Sequence, residues 1–224
     1  MIHRQTFVLL AALTLAGLLP VAGHAQAAKP APAPVEGVDY VAIEGGQPWQ
    51  PLAGKIEVVE VFAYWCHHCR DFQPMVDQWR KGLAKDVRFT YVPAAFDLQD
   101  NYARAYFAAD ALGAQGKTHH ATFRAIHDTQ AMPSRGVSVE EIATFYDGLG
   151  VNAKRTRAAM TSKATDARMQ AAREFAIRSG IEGTPTIVVN GIWRVRGRTL
   201  PDVLRITDAL VARERARRAA STTP

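Results

Sequence analysis

The run KIEVVEVFAY (Lys55 to Tyr64) leads directly into WCHHCRDFQP, and this junction limits the folds open to the chain. Its apolar, β-branched residues occupy both faces of the extended backbone, the pattern of a central strand covered on two sides. From about Cys66 the spacing turns helical and continues past Trp79, with Pro74 expected to kink the helix. VRFTYVPAAF then supplies a second strand, from Val87 to about Val92. Strand, helix and strand with short links form a βαβ unit, so the two strands should be parallel, with a right-handed crossover. The chain is α/β, and its only two cysteines, Cys66 and Cys69, sit where the first strand hands over to the helix.

The rest of the chain falls into blocks. VDYVAI (Val38 to Ile43) reads as a short strand before the βαβ unit. From Leu98 to Ser179 there are four or five helical patterns and no convincing strand. One carries Tyr102, Ala105, Tyr106, Ala109 and Leu112 at helical spacing. Another opens on a Ser138/Glu141 capping box, places Ile142, Phe145, Tyr146 and Leu149 on one face, and ends before Gly150. A third carries Met169, Ala172, Phe175 and Ala176 and stops at Gly180. Strand chemistry returns in TPTIVVNGIWRVRG, where Asn190-Gly191 predicts a type I′ hairpin. A final helix, roughly Leu200 to Arg213, closes the folded part, and residues 219–224 read as a disordered tail. The expected architecture is a β-α-β part (38–97), a helical insertion (98–179) and a β-β-α part (180–218). With 48% hydrophobic residues, a chain of 224 can bury the core this requires.

The N-terminus indicates where the protein works. Arg4 precedes an apolar run from Phe7 to Leu19, and Ala25-Gln26-Ala27 reads as a cleavage site, so residues 1–27 are expected to be a cleaved leader. The run falls short of the ~20 residues a membrane span needs. Residues 28–37, rich in Pro and Ala, read as a linker. Export places the chain in a compartment that oxidises thiols. The net charge of +6 is concentrated partly in Arg213, Arg215, Arg217 and Arg218. A basic helix end is favoured by the helix dipole and by solvation, so no nucleic-acid partner is expected.

Three readings of the cysteine pair compete. A staple is poorly served by this spacing, because the entropy model gives only about 2 kcal/mol for a four-residue loop. A structural zinc site needs two further ligands, and His67 and His68 lie in the same turn as the sulfurs. The remaining histidines, His3, His24, His119, His120 and His127, offer no second half-site; His120 and His127 could share a helix face. No metal or cofactor is expected. The redox reading gives every neighbour a task. Cys66 at a helix start meets unpaired N–H groups and the positive end of the dipole, which stabilise a thiolate. Cys69 lies one turn deeper on the same face, and His67 and His68 supply N–H donors beside the first sulfur. GTPTIVVNG adds a proline, Pro185, just before a strand, where it donates no ladder hydrogen bond.

A dithiol at a helix start in a βαβ context is a thioredoxin-like signal. With the helical insertion and the C-x-H-C pattern, the chain resembles the DsbA family of bacterial periplasmic thiol:disulfide oxidoreductases over about Val38 to Val211, most specifically at Cys66, His68, Cys69, Thr184 and Pro185. The resemblance implies a thioredoxin-like fold with an inserted helical domain and a cis-proline at Pro185. It makes Cys66 the surface-exposed cysteine that forms mixed disulfides and Cys69 its resolving partner. The family's more common dipeptide is Pro-His, and His67 replaces the proline, which bears on oxidising strength rather than on reaction class. The family also places a buried acid at Glu60, often paired with a lysine on the next strand; Tyr91 falls near that place, with Arg88 close by. Such an acid would exchange protons with Cys69. Expected partners are reduced exported proteins and a membrane quinone-linked reoxidase of the DsbB type, with the chain a monomer. Alternatives are a reductase or isomerase of the same fold, although no dimerisation domain is visible before Val38, and a non-catalytic metal-binding module.

Overall fold

The computed structural model describes residues 32–221. The expected leader and the first residues of the linker lie outside that range.

Five strands form one sheet in the order β1-β5-β4-β2-β3. The central strand, β2 (Ile56–Phe62), is buried at every position, as its uninterrupted apolar pattern predicts. It pairs in parallel with β3 (Val87–Pro93) through the intervening α1 (His67–Lys81). On its other side β2 meets β4 (Thr186–Val189) antiparallel. β4 turns back into β5 (Trp193–Val195), which pairs with β1 (Tyr40–Ala42) at the edge. β1 is shorter than the strand expected over Val38 to Ile43. The hairpin is made by Asn190 (φ 51°) and Gly191 (φ 69°), both left-handed as a type I′ turn requires. Gly191 has a second reason to lack a side chain: a Cβ there would come within 2.1 Å of the Gln47 carbonyl.

Helices α2 (Asn101–Ala111), α3 (Gln115–His127), α4 (Val139–Asp147), α5 (Ala153–Met160) and α6 (Lys163–Arg178) follow β3 and precede β4. The capping box forms as expected, with Ser138 and Glu141 each binding the other's backbone N–H. α4 ends at Asp147, two residues before Leu149, which still packs on the core from the following turn. α3 contacts α1, and residues of the sheet, of α1 and of the insertion share one apolar cluster.

Pro74 lies inside α1, which runs through it as one helix. The last helix, α7 (Leu200–Ser221), continues past Arg213, so residues 219–221 are helical and not an irregular tail. The extension is held by side chains of the Arg-rich run. Arg215 grips Asp86 through two hydrogen bonds of 2.7 and 2.9 Å, and Arg218 donates to the carbonyls of Gly54 and Lys55. Glu214 is fully buried and accepts from Asn190 Nδ2 (2.7 Å), Trp193 Nε1 (2.8 Å) and Arg217 (3.0 Å).

Candidate active site

β2 ends at Phe62, and four residues later Cys66 becomes the N-cap of α1, with extended backbone angles (φ −84°, ψ 114°). An N-cap side chain accepts from the N–H three residues on, and here that residue is Cys69. The Cys69 N–H donates to Cys66 Sγ at 3.3 Å. The C-x-x-C spacing therefore does two things at once: it places a sulfur where a cap belongs, and a second sulfur one turn behind it.

β4 runs antiparallel to β2 with Val61 opposite Thr186, which carries the residues before β4 to the end of β2 where α1 begins. The Thr184–Pro185 peptide bond is cis. The Cys66 thiol donates to the Thr184 carbonyl at 3.2 Å, so the expected sulfur, threonine and proline are brought together. This packing also revises one expectation. Cys66 is only 7% exposed, and Cys69, at 0%, is buried completely.

The two thiols differ in acidity. Cys66 is lowered to about 5. The largest cause is the Cys69 thiol hydrogen-bonded to its sulfur; burial opposes this, and the Thr184 side chain and the N–H groups of Cys69 and His68 reinforce it. Cys69 is pushed well up, first by burial, then by its bond to Cys66 and the nearby Glu60 carboxylate. His67 and His68 are exposed, with ring centroids 3.9 Å apart. Of the two, the His68 backbone N–H reaches the sulfur's electrostatics.

Glu60 lies at the middle of β2, 1% exposed, opposite Tyr91 on one side and Ile187 on the other. Neither carboxylate oxygen has a hydrogen-bond partner among the described residues. Burial pushes its pKa well up, Cys66 and Asp77 add to this, and Arg80 opposes it. Arg88 is not its partner. Strand alternation puts Glu57 on the opposite face, and Arg88 pairs there with Glu57 at 2.7 Å, alongside the Trp49 and Gln50 N–H groups.

Sequence reasoning missed a second group of side chains. His119 is buried and joins Tyr64 to Gln73, and Gln73 in turn reaches the Tyr91 hydroxyl. His120 and His127 do not act together: His120 pairs with Asp77 at 3.1 Å, and His127 binds the Tyr64 carbonyl at 2.7 Å. Among the described residues no three His, Cys, Asp or Glu side chains gather as a metal site.

The arrangement is a thiolate-stabilising helix cap with a second thiol behind it and a peptide carbonyl in front, which is suited to dithiol–disulfide exchange. A family model described as thioredoxin matches residues 52–206. The chain is 35% identical to the thiol:disulfide interchange protein DsbA of Azotobacter vinelandii, with 90% of this chain and 95% of the relative covered. The chain belongs to the DsbA family. It is also 32% identical to the DsbA of Pseudomonas aeruginosa over 95% of this chain and 98% of the relative. The crystal structure of oxidoreductase DsbA from Xylella fastidiosa superposes with a TM-score of 0.80 at 50% identity, covering 82% of this chain and 98% of that one. As a DsbA-family protein the chain is a disulfide-forming thiol:disulfide oxidoreductase, on a thioredoxin-like fold with a helical insertion.

Proposed function

We propose that Cys66 is the sulfur that exchanges with client proteins, that Cys69 resolves the intermediate, and that Glu60 handles the Cys69 proton. A client thiolate attacks Cys66 Sγ in the Cys66–Cys69 disulfide, and Cys69 leaves as a thiolate that takes a proton from Glu60. A second client thiolate then attacks the client sulfur of the mixed disulfide and expels Cys66. The client loses two electrons and two thiol protons, and the pair takes up the electrons. One proton is retained on Cys69, whose acidity is suppressed, and one passes to solvent because Cys66 stays ionised.

The observation that carries this reading is the cap itself: the Cys66 sulfur accepting from the Cys69 N–H while lying 3.2 Å from the Thr184 carbonyl. A good leaving thiolate makes the dithiol the favoured state and the disulfide an oxidant. Each further unit below ambient pH is worth roughly 30 mV. Thr184 and the backbone beside Pro185 would hold an unfolded client as an added strand, which favours main-chain recognition over sequence. His67 and His68, exposed beside the sulfur, form the rim a client first meets.

Clients are reduced exported proteins, in the periplasm, reached after removal of the leader 1–27. Reoxidation falls to a membrane quinone-linked protein of the DsbB type, and the working unit is a monomer. No helix among the described residues is long and apolar enough to cross a membrane, so a separate reoxidase would carry any membrane step.

Equilibration with glutathione tests the direction. The expected outcome is an oxidising pair, with Cys66→Ser losing all exchange and Cys69→Ser accumulating mixed disulfides with reduced clients. A strongly reducing potential would reject the oxidase reading in favour of a reductase.

A further inference from the structure

The three residues between β2 and α1 decide where the reactive sulfur sits, and side chains of the insertion hold them. Residues 63–65 belong to neither element, and the turn is closed by the Cys66 N–H donating to the Ala63 carbonyl at 3.1 Å. His127, the last residue of α3, donates from Nε2 to the Tyr64 carbonyl at 2.7 Å; a carbonyl only accepts, so this nitrogen carries the hydrogen. The Tyr64 side chain is buried, and its hydroxyl meets His119 Nδ1 of α3 at 2.9 Å. Trp65 donates its indole N–H to Asp100 Oδ2 at 3.1 Å, and the Arg135 guanidinium lies 5.4 Å from the centre of the Trp65 ring.

Asp100 is placed for two tasks. Its Oδ1 caps α2, accepting from the Tyr102 and Ala103 N–H groups, which leaves Oδ2 for Trp65. The two residues before Cys66 are thus gripped at an indole, a hydroxyl and a carbonyl by residues 35, 55 and 63 positions further along the chain. On the far side, the sulfur itself meets the Thr184 carbonyl at 3.2 Å and the Cys69 N–H at 3.3 Å. Hydrogen bonds weaken steeply with distance and angle, so a link free to tilt would loosen both contacts. A small misplacement of a reacting atom, caused by a change some way from it, is enough to cost rate.

We propose that His127 and Asp100 are positioning residues of the exchange reaction: by holding the Tyr64-Trp65 link from the insertion, they keep Cys66 in its cap and against Thr184. This rests on Cys66 as the exchanging sulfur, argued above, and gives the helical insertion a task at the redox centre. Loss of either grip lets Cys66 drift from the N–H groups that stabilise its thiolate. The thiolate then forms at higher pH, and the disulfide becomes a weaker oxidant.

The test follows thiolate absorbance against pH in the reduced full protein, together with the equilibrium with glutathione. Asp100→Asn keeps the α2 cap through its remaining oxygen but turns an amide towards the indole N–H. The Cys66 midpoint should rise by about one unit, and the equilibrium should move about tenfold towards the dithiol of glutathione's side losing oxidant, that is, towards the Cys66–Cys69 disulfide. The sign is diagnostic, because removing a carboxylate charge by itself favours the thiolate and lowers the midpoint. Trp65→Phe should give the same rise, and Asp100→Asn should add nothing in the Trp65→Phe background. His127→Ala should also raise the midpoint by about one unit, and His127→Gln, which keeps an uncharged N–H donor, should restore it. Arg168→Met, whose lost bonds run to Phe107 and Asp110 within the insertion, should leave the midpoint where it is. Where His127→Ala does not fold, Asp100→Asn and Trp65→Phe decide. The proposal is overturned if Asp100→Asn leaves the midpoint in place, if it still shifts the midpoint in the Trp65→Phe background, or if Arg168→Met shifts it as far. Cys66→Ser separates the two levels. Exchange that survives Cys66→Ser defeats the reading of Cys66 and this proposal with it. A midpoint abolished by Cys66→Ser but untouched by Asp100→Asn defeats this proposal alone.

Discussion

At the scale of single residues, the two buried acids of β2 show how position decides role. Glu57 has a guanidinium and two backbone N–H groups around its carboxylate, whereas Glu60 has no donor among the described residues. A buried polar group left unpaired costs roughly 1–3 kcal/mol. Glu60→Leu should therefore raise stability by about that amount in denaturant unfolding at neutral pH while slowing exchange through Cys69. A variant that is both less stable and fully active would show that Glu60 is structural. Cys66 should keep its low midpoint in this variant, because its acidity comes from Cys69, Thr184 and His68. Cys66 and Cys69 were legible in the sequence because their contact is local, an N-cap with the third residue of its own helix. His119 and Gln73 were not. Their bonds join α3 to α1 and to the strand end across 46 and 55 residues, and a histidine beside another histidine on a helix reads as surface.

At the scale of elements, patterns within a few residues carried most of the fold. The apolar run of β2, the Asn190-Gly191 hairpin and the Ser138/Glu141 capping box all formed where their local chemistry placed them. The end of α7 did not follow its pattern. ARERARR reads as a solvated basic terminus, yet Glu214 within it is buried under Asn190 and Trp193, and Arg213 lies 4.3 Å above the Trp193 ring. Only the tertiary partners, from the β4–β5 hairpin, distinguish this glutamate from a surface one. Glu214→Leu strands two buried donors and an arginine, so it should cost roughly 2–4 kcal/mol in chemical denaturation. A loss under about 0.5 kcal/mol, the usual range for surface changes, would place the extension outside the cooperative fold.

At the scale of the whole molecule, the acidity of one sulfur becomes a property of the redox state. Folding lowers the Cys66 pKa, so the reduced protein gains stability that is fully present above the unfolded thiol pKa of about 8.5 and is lost as pH falls through about 5. The disulfide form has no such contribution. The stability of the reduced form relative to the oxidised form should therefore rise between about pH 5 and 8.5, with a slope approaching 1.4 kcal/mol per unit. Calorimetric melts of both forms across that range check it, and parallel stability curves would contradict it. The same asymmetry predicts about one proton released to solvent for each client disulfide formed at neutral pH, measurable with a pH indicator in weak buffer. Two ordinary thiols would release none. The most direct test of the central claim is the ultraviolet absorbance of thiolate in the reduced protein followed against pH. A single step centred near 5 that disappears in Cys66→Ser is the predicted result; a first step near the free-thiol value of about 8.5, or one that survives Cys66→Ser, would contradict it.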